Sequence, residues 1–430
     1  MYEIPHPPIR ERASLIGTIS NGVSRYECED SLRELAQLAD TAGAEVVDTI
    51  THARPRIDPA YFIGKGKAEF AANLVHEQNL DVLIFDDDLS PAQAKNLEKL
   101  CDTKIIDRSG LILDIFARRA KSREARTQVE LAQLQYLLPR LTRQWTHFSR
   151  QVGGIGTRGP GETQLEMDRR LVRQRISHLQ KDLQKIEQQR AVRRQRREGV
   201  YKAALVGYTN VGKSTLLNVL TDAEVFVENR LFATLDSTVR HLNFPNGPAE
   251  ANHATVLLID TVGFIRKLPH HLVASFKSTL EEAREADLLL HVIDVTHPLF
   301  EEQITVVRQV LEELQLNNLP VLHVFNKVDA LQENGLISRL QEAHSPAVFV
   351  SAERGMFLDE LRAKILEFAR AEEEELTVDL PISNPALVAR LHTLAHVMEK
   401  HYEDHTVHIR LRASHSAAEK IRHLLAESRN

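Results

Sequence analysis

The chain has only two cysteines, Cys28 and Cys101, in 430 residues. So few cysteines exclude a disulfide framework and a cysteine-rich zinc site, and they fit a reducing compartment. With 18 glycines and 16 prolines, the sequence also lacks the bias of a fibrous or disordered protein. No apolar run approaches the roughly 18 to 20 residues that span a bilayer, and the N-terminus MYEIPHPPIRER lacks the apolar region of a signal peptide. We therefore expect a folded protein of the cytoplasm, without an integral membrane segment.

Charge is distributed unevenly along the chain. Its formal net charge is −6, yet residues 122–198 contain 17 Lys and Arg against 8 Asp and Glu, a local excess of +9. Most charge runs are ordinary solvated surfaces, but an excess of one sign over such a length favours a polyanionic partner such as a nucleic acid.

Length and pattern together predict four segments in a multidomain α/β protein. They are an N-terminal α/β subdomain with a parallel sheet (1–118), a basic antiparallel helical hairpin with a glycine-rich loop (119–198), a larger α/β domain with a mostly parallel sheet (199–370) and a small α+β C-terminal domain (371–430).

In the first segment, short apolar runs such as ASLIGTIS and DVLIFD alternate with amphipathic stretches. This alternation predicts βαβ units and a mostly parallel sheet. The consecutive residues Asp86, Asp87 and Asp88 at the end of one run could hold a metal. We favour instead a turn followed by a helix that is capped by Ser90 and begins at Pro91.

The second segment has two runs of apolar residues at alternating spacings of three and four. Such seams predict two amphipathic helices joined as an antiparallel hairpin, with a kink at Pro139, where one helical hydrogen bond is missing. The first seam, on a helix expected over 122–150, consists of Leu131, Leu134, Leu138, Leu141, Trp145 and Phe148, and the second of Val172, Ile176, Leu179, Leu183 and Ile186. The expected RNA contacts are Arg158 in the loop and Arg169, Arg170 and Arg173 on the second helix.

The loop between these helices, GGIGTRGPGETQLE, has five glycines within nine positions. Glycine at this density lets the backbone approach a partner closely or simply lets the loop move. A passive flexible tip is therefore one interpretation. The polar residues Thr157, Arg158, Glu162, Thr163 and Gln164 favour a tip that contacts a partner.

The last segment is predicted to contain strands near 376–380 and 405–411 and helices near 385–401 and 416–428. His392 and His396 have the i, i+4 spacing of a metal-binding pair on a helix. Without a carboxylate or cysteine beside them, we interpret them as surface or interface residues.

The run ALVGYTNVGKST matches the pattern G-x-x-x-x-G-K-[ST] between an apolar strand and a helical run. In this context the glycines let backbone N–H groups surround a β-phosphate, Lys213 reaches the β- and γ-oxygens, and the Ser214 hydroxyl binds Mg²⁺. The predicted phosphate loop consists of Gly207, Tyr208, Thr209, Asn210, Val211, Gly212, Lys213 and Ser214.

Three later motifs follow predicted strands and indicate that the nucleotide is GTP. Asp260, at the end of TVLLID, can hold Mg²⁺ through water, and Gly263 can offer its N–H to the γ-phosphate. In VLHVFNKVD, Asp329 presents two acceptors to the N1–H and N2 donors of guanine, a pair that adenine lacks. The Ala352 N–H, after AVFVS, can meet guanine O6. The other nucleotide-binding residues of these motifs are Thr261, Val262, Asn326, Lys327, Val328 and Ser351.

Between the phosphate loop and Asp260 lies ENRLFATLDSTVR. A GTPase needs a mobile threonine here that closes over Mg²⁺ and the γ-phosphate, and we choose Thr234 over Thr238. With Lys213 and Gly263, Thr234 completes the expected catalytic set. The nucleotide contacts expected from this stretch are Phe232, Ala233, Thr234, Leu235 and Asp236.

The motifs FATLD and DTVGF and the loop GGIGTRGPGETQ together resemble HflX, of the Obg/HflX group of translation-associated P-loop GTPases. The resemblance extends to about residue 370, and the loop is its most specific element. It implies hydrolysis of GTP to GDP, binding to the RNA of the large ribosomal subunit, and a role in ribosome splitting, rescue or recycling. It also implies that the hairpin projects toward the functional centre of the subunit. We expect a monomer away from the ribosome.

Two other functions remain open. The chain could be an RNA-binding or ribosome-assembly module in which GTP is a structural or switch ligand. The resemblance also credits the N-terminal region with ATP use, so residues 1–118 could remodel RNA with ATP. However, GKGKAEF at 64–70 lacks the Ser or Thr of a P-loop.

Phe264 occupies the position at which Ras-type GTPases have a water-positioning glutamine. An apolar ring cannot hydrogen-bond water, so we expect slow intrinsic hydrolysis, on or below the order of 10⁻³ per second, and stimulation by the ribosome.

Mg²⁺ is the expected cofactor. Asn210 resembles the asparagine with which certain GTPases hold K⁺, so K⁺ is a second candidate unless this residue simply caps the loop.

Overall fold

A computed structural model describes residues 10–141, 164–194, 200–221, 231–244, 256–267, 283–331 and 335–428, apart from positions 21, 23, 55, 237, 372, 382–384 and 404–405. The chain divides into two compact units. The first comprises residues 1–187, 228–236 and 265–277, and the second comprises residues 188–227, 237–264 and 278–430. The boundaries of the four segments stay a prediction.

The first unit contains a four-stranded sheet. Its strands are β1 (Glu11–Ile19), β2 (Ala44–Ala53), β3 (Val82–Phe85) and β4 (Lys104–Asp107). Their order is β2-β1-β3-β4, and each neighbouring pair is parallel. Every residue of β3 is buried, as expected of a strand covered on both faces. The predicted parallel sheet is confirmed.

Four helices connect and follow these strands. They are α1 (Arg25–Thr41), α2 (Lys65–Gln78), α3 (Pro91–Cys101) and α4 (Arg108–Arg119). The predicted cap of α3 is confirmed: the Ser90 hydroxyl accepts from the Gln93 N–H at 3.3 Å, and the Gln93 side chain accepts from the Ser90 N–H at 2.9 Å. Pro91 takes the first helical position, where its missing N–H needs no partner.

The acidic residues after β3 are engaged by protein groups of the same unit. Asp86 is buried and accepts from the Ser31 hydroxyl at 2.8 Å and from the Arg108 guanidinium at 2.6 Å. Asp87 accepts from the Thr18 hydroxyl at 2.7 Å. Within the described ranges, no cluster of three or more His, Cys, Asp or Glu side chains could hold a metal.

The hairpin segment contains the helices α5 (Arg123–Leu137) and α6 (Gln164–Arg194). The prediction of one kinked helix through Pro139 is wrong. The α-helix ends at Leu137, a single 3-10 turn follows over Leu138–Arg140, and Leu141 is extended. Pro139 lacks the N–H that would continue the helix, so the chain leaves it here. Trp145, Phe148 and the whole glycine-rich loop with Arg158 lie outside the described residues.

Two contacts fix the direction of α6 against α5. The Arg169 guanidinium donates to the Leu141 carbonyl at 3.2 Å, and Arg175 donates twice to the Glu130 carboxylate, at 2.7 and 2.9 Å. The later of these two α6 residues, Arg175, thus contacts the earlier of the two partners, Glu130. The two helices are therefore antiparallel, as predicted. Of the second seam, Val172 and Leu179 are buried.

The second unit contains a six-stranded sheet. Its strands are β5 (Tyr201–Gly207), β6 (Thr238–His241), β7 (Val256–Asp260), β8 (Leu288–Asp294), β9 (Val321–Asn326) and β10 (Ala347–Phe349). The order is β10-β9-β8-β5-β7-β6, and every pair is parallel except β6 with β7. The helices described around it are α7 (Lys213–Thr221), α8 (Phe300–Glu313), α9 (Leu336–Ala343) and α10 (Leu358–Ala371). The carboxyl ends of parallel strands lie at one edge of a sheet, so the motifs that follow β5, β7 and β9 meet there.

The last part of the chain forms an antiparallel sheet with two helices. The strands are β11 (Glu373–Pro381), β12 (His396–Glu403) and β13 (Thr406–Ser414), in the order β11-β13-β12, and the helices are α11 (Pro385–Leu394) and α12 (His415–Ser428). The predicted helix over 385–401 is wrong beyond Leu394, because residues 396–403 pair with β13. His392 is therefore on a helix and His396 on a strand, and the pair lacks the helical geometry of a metal site.

Across the part of the chain that the structure describes, no helix is both long enough and apolar enough to cross a membrane.

Candidate nucleotide-binding site

The phosphate loop runs from the end of β5 to the start of α7, in the strand-to-helix context that the sequence predicts. Its two glycines are required by close packing. A Cβ on Gly207 would lie 2.3 Å from the Val292 carbonyl oxygen, and one on Gly212 would lie 2.4 Å from the Asn326 side-chain nitrogen. Gly212 also has a φ of +96°, which disfavours any L side chain. The loop can therefore hold its backbone close to the following strands only with glycine at these positions.

Lys213, the first residue of α7, lies inside the loop rather than in solvent. Its ammonium donates to the Tyr208 carbonyl at 2.7 Å and to the Gly207 carbonyl at 3.1 Å. Burial lowers the pKa of Lys213 to about 8, against the opposing attraction of Asp260. A phosphate beside this buried amine would stabilise its charged form, because the attraction would offset the loss of hydration.

Ser214 and Asp260 provide a pair of hard oxygen ligands. The Ser214 hydroxyl donates to Asp260 Oδ2 at 2.7 Å, although the two residues belong to α7 and β7. A hydroxyl and a carboxylate beside a buried lysine are the donor set that Mg²⁺ takes together with phosphate oxygens. The residues present therefore fit a magnesium ion.

Gly263 lies against the phosphate loop. A Cβ at this position would be 2.7 Å from Thr209 Cα and 3.0 Å from the Lys213 ammonium nitrogen. Only a glycine permits this approach, which brings the Gly263 backbone beside the group predicted to bind the γ-phosphate.

The next residue, Phe264, is tied to the same loop. Its ring is buried, its N–H donates to the Gly207 carbonyl at 3.0 Å, and its carbonyl accepts from the Thr209 N–H at 2.7 Å. The side chain at the position of the usual glutamine therefore belongs to the core of the unit and offers no hydrogen bond to a water molecule.

Asn326 joins the phosphate loop to the third motif. Its side-chain nitrogen donates to the Val211 carbonyl at 2.8 Å, and its side-chain oxygen accepts from the Ala352 N–H at 3.0 Å. The Lys327 ammonium donates to the Asn210 carbonyl at 3.2 Å. The sequence predicted a guanine O6 contact for Ala352, and this contact stays a prediction.

Asp329 has the electrostatic environment of an ionised carboxylate. A hydrogen bond from the Ser351 hydroxyl is the largest cause that lowers the pKa of Asp329, and Arg354 at 3.4 Å contributes further. An ionised carboxylate only accepts hydrogen bonds, and its two oxygens can accept more than two, so Asp329 can also accept from the N1–H and N2 donors of guanine.

Asp294, at the end of β8, was missed by the sequence interpretation. Its Oδ2 accepts from the Lys327 ammonium at 2.6 Å, so it holds the lysine of the NKVD motif in place. The available signal was its position, because LLLHVID ends in an aspartate after a buried strand, as TVLLID does.

The FATLD stretch belongs to the first unit. Phe232 packs edge-to-face on Phe116 with ring centroids 4.7 Å apart, and Asp236 accepts from the backbone N–H groups of Lys121 and Ser122 at 3.0 and 3.2 Å. The predicted nucleotide contacts of residues 232–236, including Thr234 as a Mg²⁺ ligand, stay predictions.

The predicted RNA-contacting arginines of α6 differ in their surroundings. Arg170 and Arg173 are exposed, whereas Arg169 is partly buried and donates to the Leu141 carbonyl. A surface role thus suits Arg170 and Arg173 better than Arg169.

Three family models match consecutive parts of the chain. The model for the N-terminal region of GTP-binding GTPases matches residues 29–117, and the model for their middle region matches residues 119–197. A third model, described as a 50S ribosome-binding GTPase, matches residues 202–327.

Curated relatives named GTPase HflX are similar over most of the chain. The protein of Flavobacterium psychrophilum is 46% identical over 383 residues, which are 84% of this chain and 91% of that protein. The protein of Caldanaerobacter subterraneus subsp. tengcongensis is 44% identical over 418 residues, 97% of this chain and 94% of that protein. The protein of Escherichia coli is 46% identical over 388 residues, 89% of each.

Proposed function

The chain belongs to the HflX family of GTPases, and from this we propose that it binds the large ribosomal subunit and hydrolyses GTP there in order to split, rescue or recycle ribosomes. As a member of the family it is a GTPase of the ribosome-associated type. The contact with the large subunit and the use of hydrolysis for ribosome splitting are the proposed part.

The observation that carries the ribosome contact is the basic, exposed surface of α6. Arg170 and Arg173 are exposed on a helix that the Arg175–Glu130 pair fastens to α5. Such a braced helix presents its guanidinium groups at fixed spacing, and guanidinium groups bind RNA phosphates well. The match of residues 202–327 to a model described as a 50S ribosome-binding GTPase supports the large subunit as the source of that RNA.

Each residue of the nucleotide site has a role that follows from its position. Lys213 binds the β- and γ-phosphate oxygens, and Gly263 offers its backbone N–H to the γ-phosphate. Asp329 binds the guanine base. Ser214, Thr234 and Asp260 would hold Mg²⁺, Asp260 through water, and the bound ion would neutralise charge that develops on the phosphates.

Hydrolysis depends on a partner because the chain lacks a residue that orients water at the usual position. Phe264 is buried, and its backbone is paired with the phosphate loop. We infer that contact with the large subunit supplies the missing orientation. K⁺ near Asn210, which is exposed at a φ of +62°, is a second source of positive charge for the reaction.

Sedimentation with purified ribosomal subunits tests the proposal. In the presence of a non-hydrolysable GTP analogue, the whole chain should pellet with large subunits and not with small subunits, and its affinity should fall steeply with salt. Equal pelleting with both subunits would refute a specific large-subunit partner. Loss of pelleting in every nucleotide state would refute the ribosome contact itself.

A further inference from the structure

Four residues form a chain of hydrogen bonds that crosses the nucleotide site. Asp294, at the end of β8, accepts at Oδ2 from the Lys327 ammonium at 2.6 Å. The same ammonium donates to the Asn210 carbonyl of the phosphate loop at 3.2 Å. Asp294 Oδ1 accepts from the Thr296 hydroxyl at 2.6 Å and from the Thr296 N–H at 3.0 Å. We call this chain, from Thr296 through Asp294 and Lys327 to Asn210, the lysine bridge.

The lysine bridge connects the ends of three parallel strands. Asp294 ends β8 and lies opposite Asn326, which ends β9 and precedes Lys327. The phosphate loop, which contains Asn210, follows β5. The Asp294 side chain is 15% exposed and that of Lys327 is 36% exposed. Solvent therefore screens this ion pair less than a fully exposed one, and Thr296 fixes the carboxylate that holds the lysine.

Two residues of the lysine bridge have a left-handed backbone. Lys327 has a φ of +66° and Asn210 a φ of +62°. Residues with a side chain seldom adopt this conformation, and they keep it only where surrounding contacts impose it. The bond from the Lys327 ammonium to the Asn210 carbonyl joins the two. Lys327 lies shortly before Asp329, and Asn210 shortly before Lys213. The lysine bridge is therefore placed to hold both the base-binding and the phosphate-binding segments.

From these contacts we propose that Asp294 is a positioning residue for guanine nucleotides: it holds the Lys327 ammonium against Asn210 and so fixes Asp329 and the phosphate loop in the geometry that binds the base and the β-phosphate. This role rests on those proposed above for Asp329 and the phosphate loop, and it is independent of the ribosome contact. Because GDP and GTP both contain the base and the β-phosphate, Asp294 acts on them equally. It contributes equally to binding of substrate and transition state, so its loss changes KM without changing kcat.

Electrostatic attraction alone predicts the opposite effect. Asp294 carries negative charge, as the nucleotide does, so removing this charge would strengthen binding if only the net charge of the site mattered. Removing it also releases the Lys327 ammonium from its fixed position, and in the proposed role this release weakens binding. The direction of the change in affinity therefore distinguishes positioning from charge attraction.

The variant Asp294→Asn removes the contact with little change of shape. Its amide oxygen can still accept from the Thr296 N–H and hydroxyl, whereas its amide nitrogen is a donor and cannot accept from the Lys327 ammonium. In the whole chain, titration with fluorescent GDP and GTP analogues should give dissociation constants about tenfold higher for both nucleotides. Single-turnover hydrolysis at saturating GTP should proceed at the wild-type rate.

A matched variant controls for damage to β8. Asp287→Asn makes the same chemical change just before the other end of this strand, where the carboxylate accepts from the Lys202 N–H at 2.7 Å. Its affinity for GDP and GTP should equal that of the wild type, because Asp287 is not part of the lysine bridge.

A double variant tests whether Asp294 acts through the lysine. Lys327→Met keeps the aliphatic part of the side chain and removes the ammonium. In this background Asp294→Asn should cause no further loss of affinity, because the group through which Asp294 acts is already absent.

Four results would overturn the proposed role of Asp294. They are binding by Asp294→Asn that is as tight as that of the wild type or tighter, an equal loss of affinity in Asp287→Asn, a further loss when Asp294→Asn is added to Lys327→Met, and a loss confined to GTP. A parallel titration of Asp329→Asn separates this failure from that of the proposed base contact. If Asp329→Asn weakens GTP binding and Asp294→Asn does not, base recognition stands and only the positioning role fails.

Discussion

The hydroxyl of Ser214 donates a hydrogen bond of 2.7 Å to the carboxylate of Asp260. The two residues are separated by 46 positions in the chain. They come together because the phosphate loop joins α7 to β5, and β5 pairs with β7, which ends at Asp260. Their contact joins two motifs whose proposed ligand is a single Mg²⁺ ion. The predictions for the nucleotide site follow from this geometry.

Replacing Ser214 tests the metal site. Ser214→Ala removes one oxygen ligand, so the rate of GTP hydrolysis should fall about a hundredfold, ~3 kcal/mol of transition-state stabilisation, and GTP affinity should lose its dependence on Mg²⁺. The matched control is Thr221→Ala, which removes a hydroxyl that donates only to the Leu217 carbonyl at the end of the same helix. Similar losses in both variants would show that the effect comes from the helix and not from the metal.

Replacing Lys213 tests whether the chain has one nucleotide site. Lys213→Ala loses the charge-assisted contact to the β- and γ-oxygens, and turnover should disappear. Hydrolysis of GTP or ATP that survives in purified Lys213→Ala protein would place a second nucleotide site elsewhere in the chain.

The low pKa of Lys213 predicts a pH dependence of nucleotide binding. Burial lowers this pKa to about 8, and a bound phosphate would raise it. Because the pKa of Lys213 is higher in the nucleotide-bound protein than in the free protein, GDP binding above about pH 8 is accompanied by uptake of a proton. The affinity for GDP should therefore fall as the pH rises through that value, by up to about tenfold per pH unit. Below about pH 7 the affinity should be nearly constant.

Calorimetric titrations of the protein with GDP at several pH values measure how the affinity depends on pH. The variant Lys213→Arg is the control, since a guanidinium does not titrate in proteins and its curve should lack this component. An equal slope in both proteins would assign the effect to the guanine base or to another group.

Base recognition is tested at Asp329. Asp329→Asn exchanges one acceptor for a donor, so GTP should bind about a hundredfold more weakly and xanthosine triphosphate should become the preferred nucleotide. Glu353→Gln, an exposed neighbour, is the control. GTP binding of unchanged strength in Asp329→Asn would mean that another residue recognises guanine.

The basic helix α6 is tested by charge reversal. Arg170→Glu with Arg173→Glu should weaken binding to large subunits and lower the slope of log affinity against log salt by about two, because two phosphate contacts are lost. The double variant Arg25→Glu, Arg33→Glu makes the same change of charge on α1. A common slope for both variants would show that only total charge matters.

Local signals in the sequence were enough for several of these features. Ser90 and Pro91 could be assigned to a helix start because a capping box depends on residues within one turn. The phosphate loop could be assigned because its glycines and Lys213 occur in a fixed order between a strand and a helix.

Other features depend on distant partners and could not be predicted in this way. Strand β12 was taken for the end of a helix, since HVMEKHYE becomes a strand only through its pairing with β13. The hydrogen bonds of Asn326 to Val211 and Ala352 could not be predicted either, because they join segments that are far apart in the chain. Pro139 was read correctly as a break in helical hydrogen bonding, but whether a proline kinks or ends a helix depends on the packing around it.

The central claim is that the large ribosomal subunit activates this GTPase, and the most direct test is the rate of GTP hydrolysis under multiple turnover with isolated large subunits, isolated small subunits or neither. We predict slow hydrolysis by the chain alone and stimulation of at least about tenfold by large subunits only. A tenfold stimulation lowers the activation free energy of hydrolysis by ~1.4 kcal/mol. Large subunits should not stimulate hydrolysis by Lys213→Ala. If large subunits bind the chain but leave the rate unchanged, GTP is a structural or switch ligand and the account is contradicted.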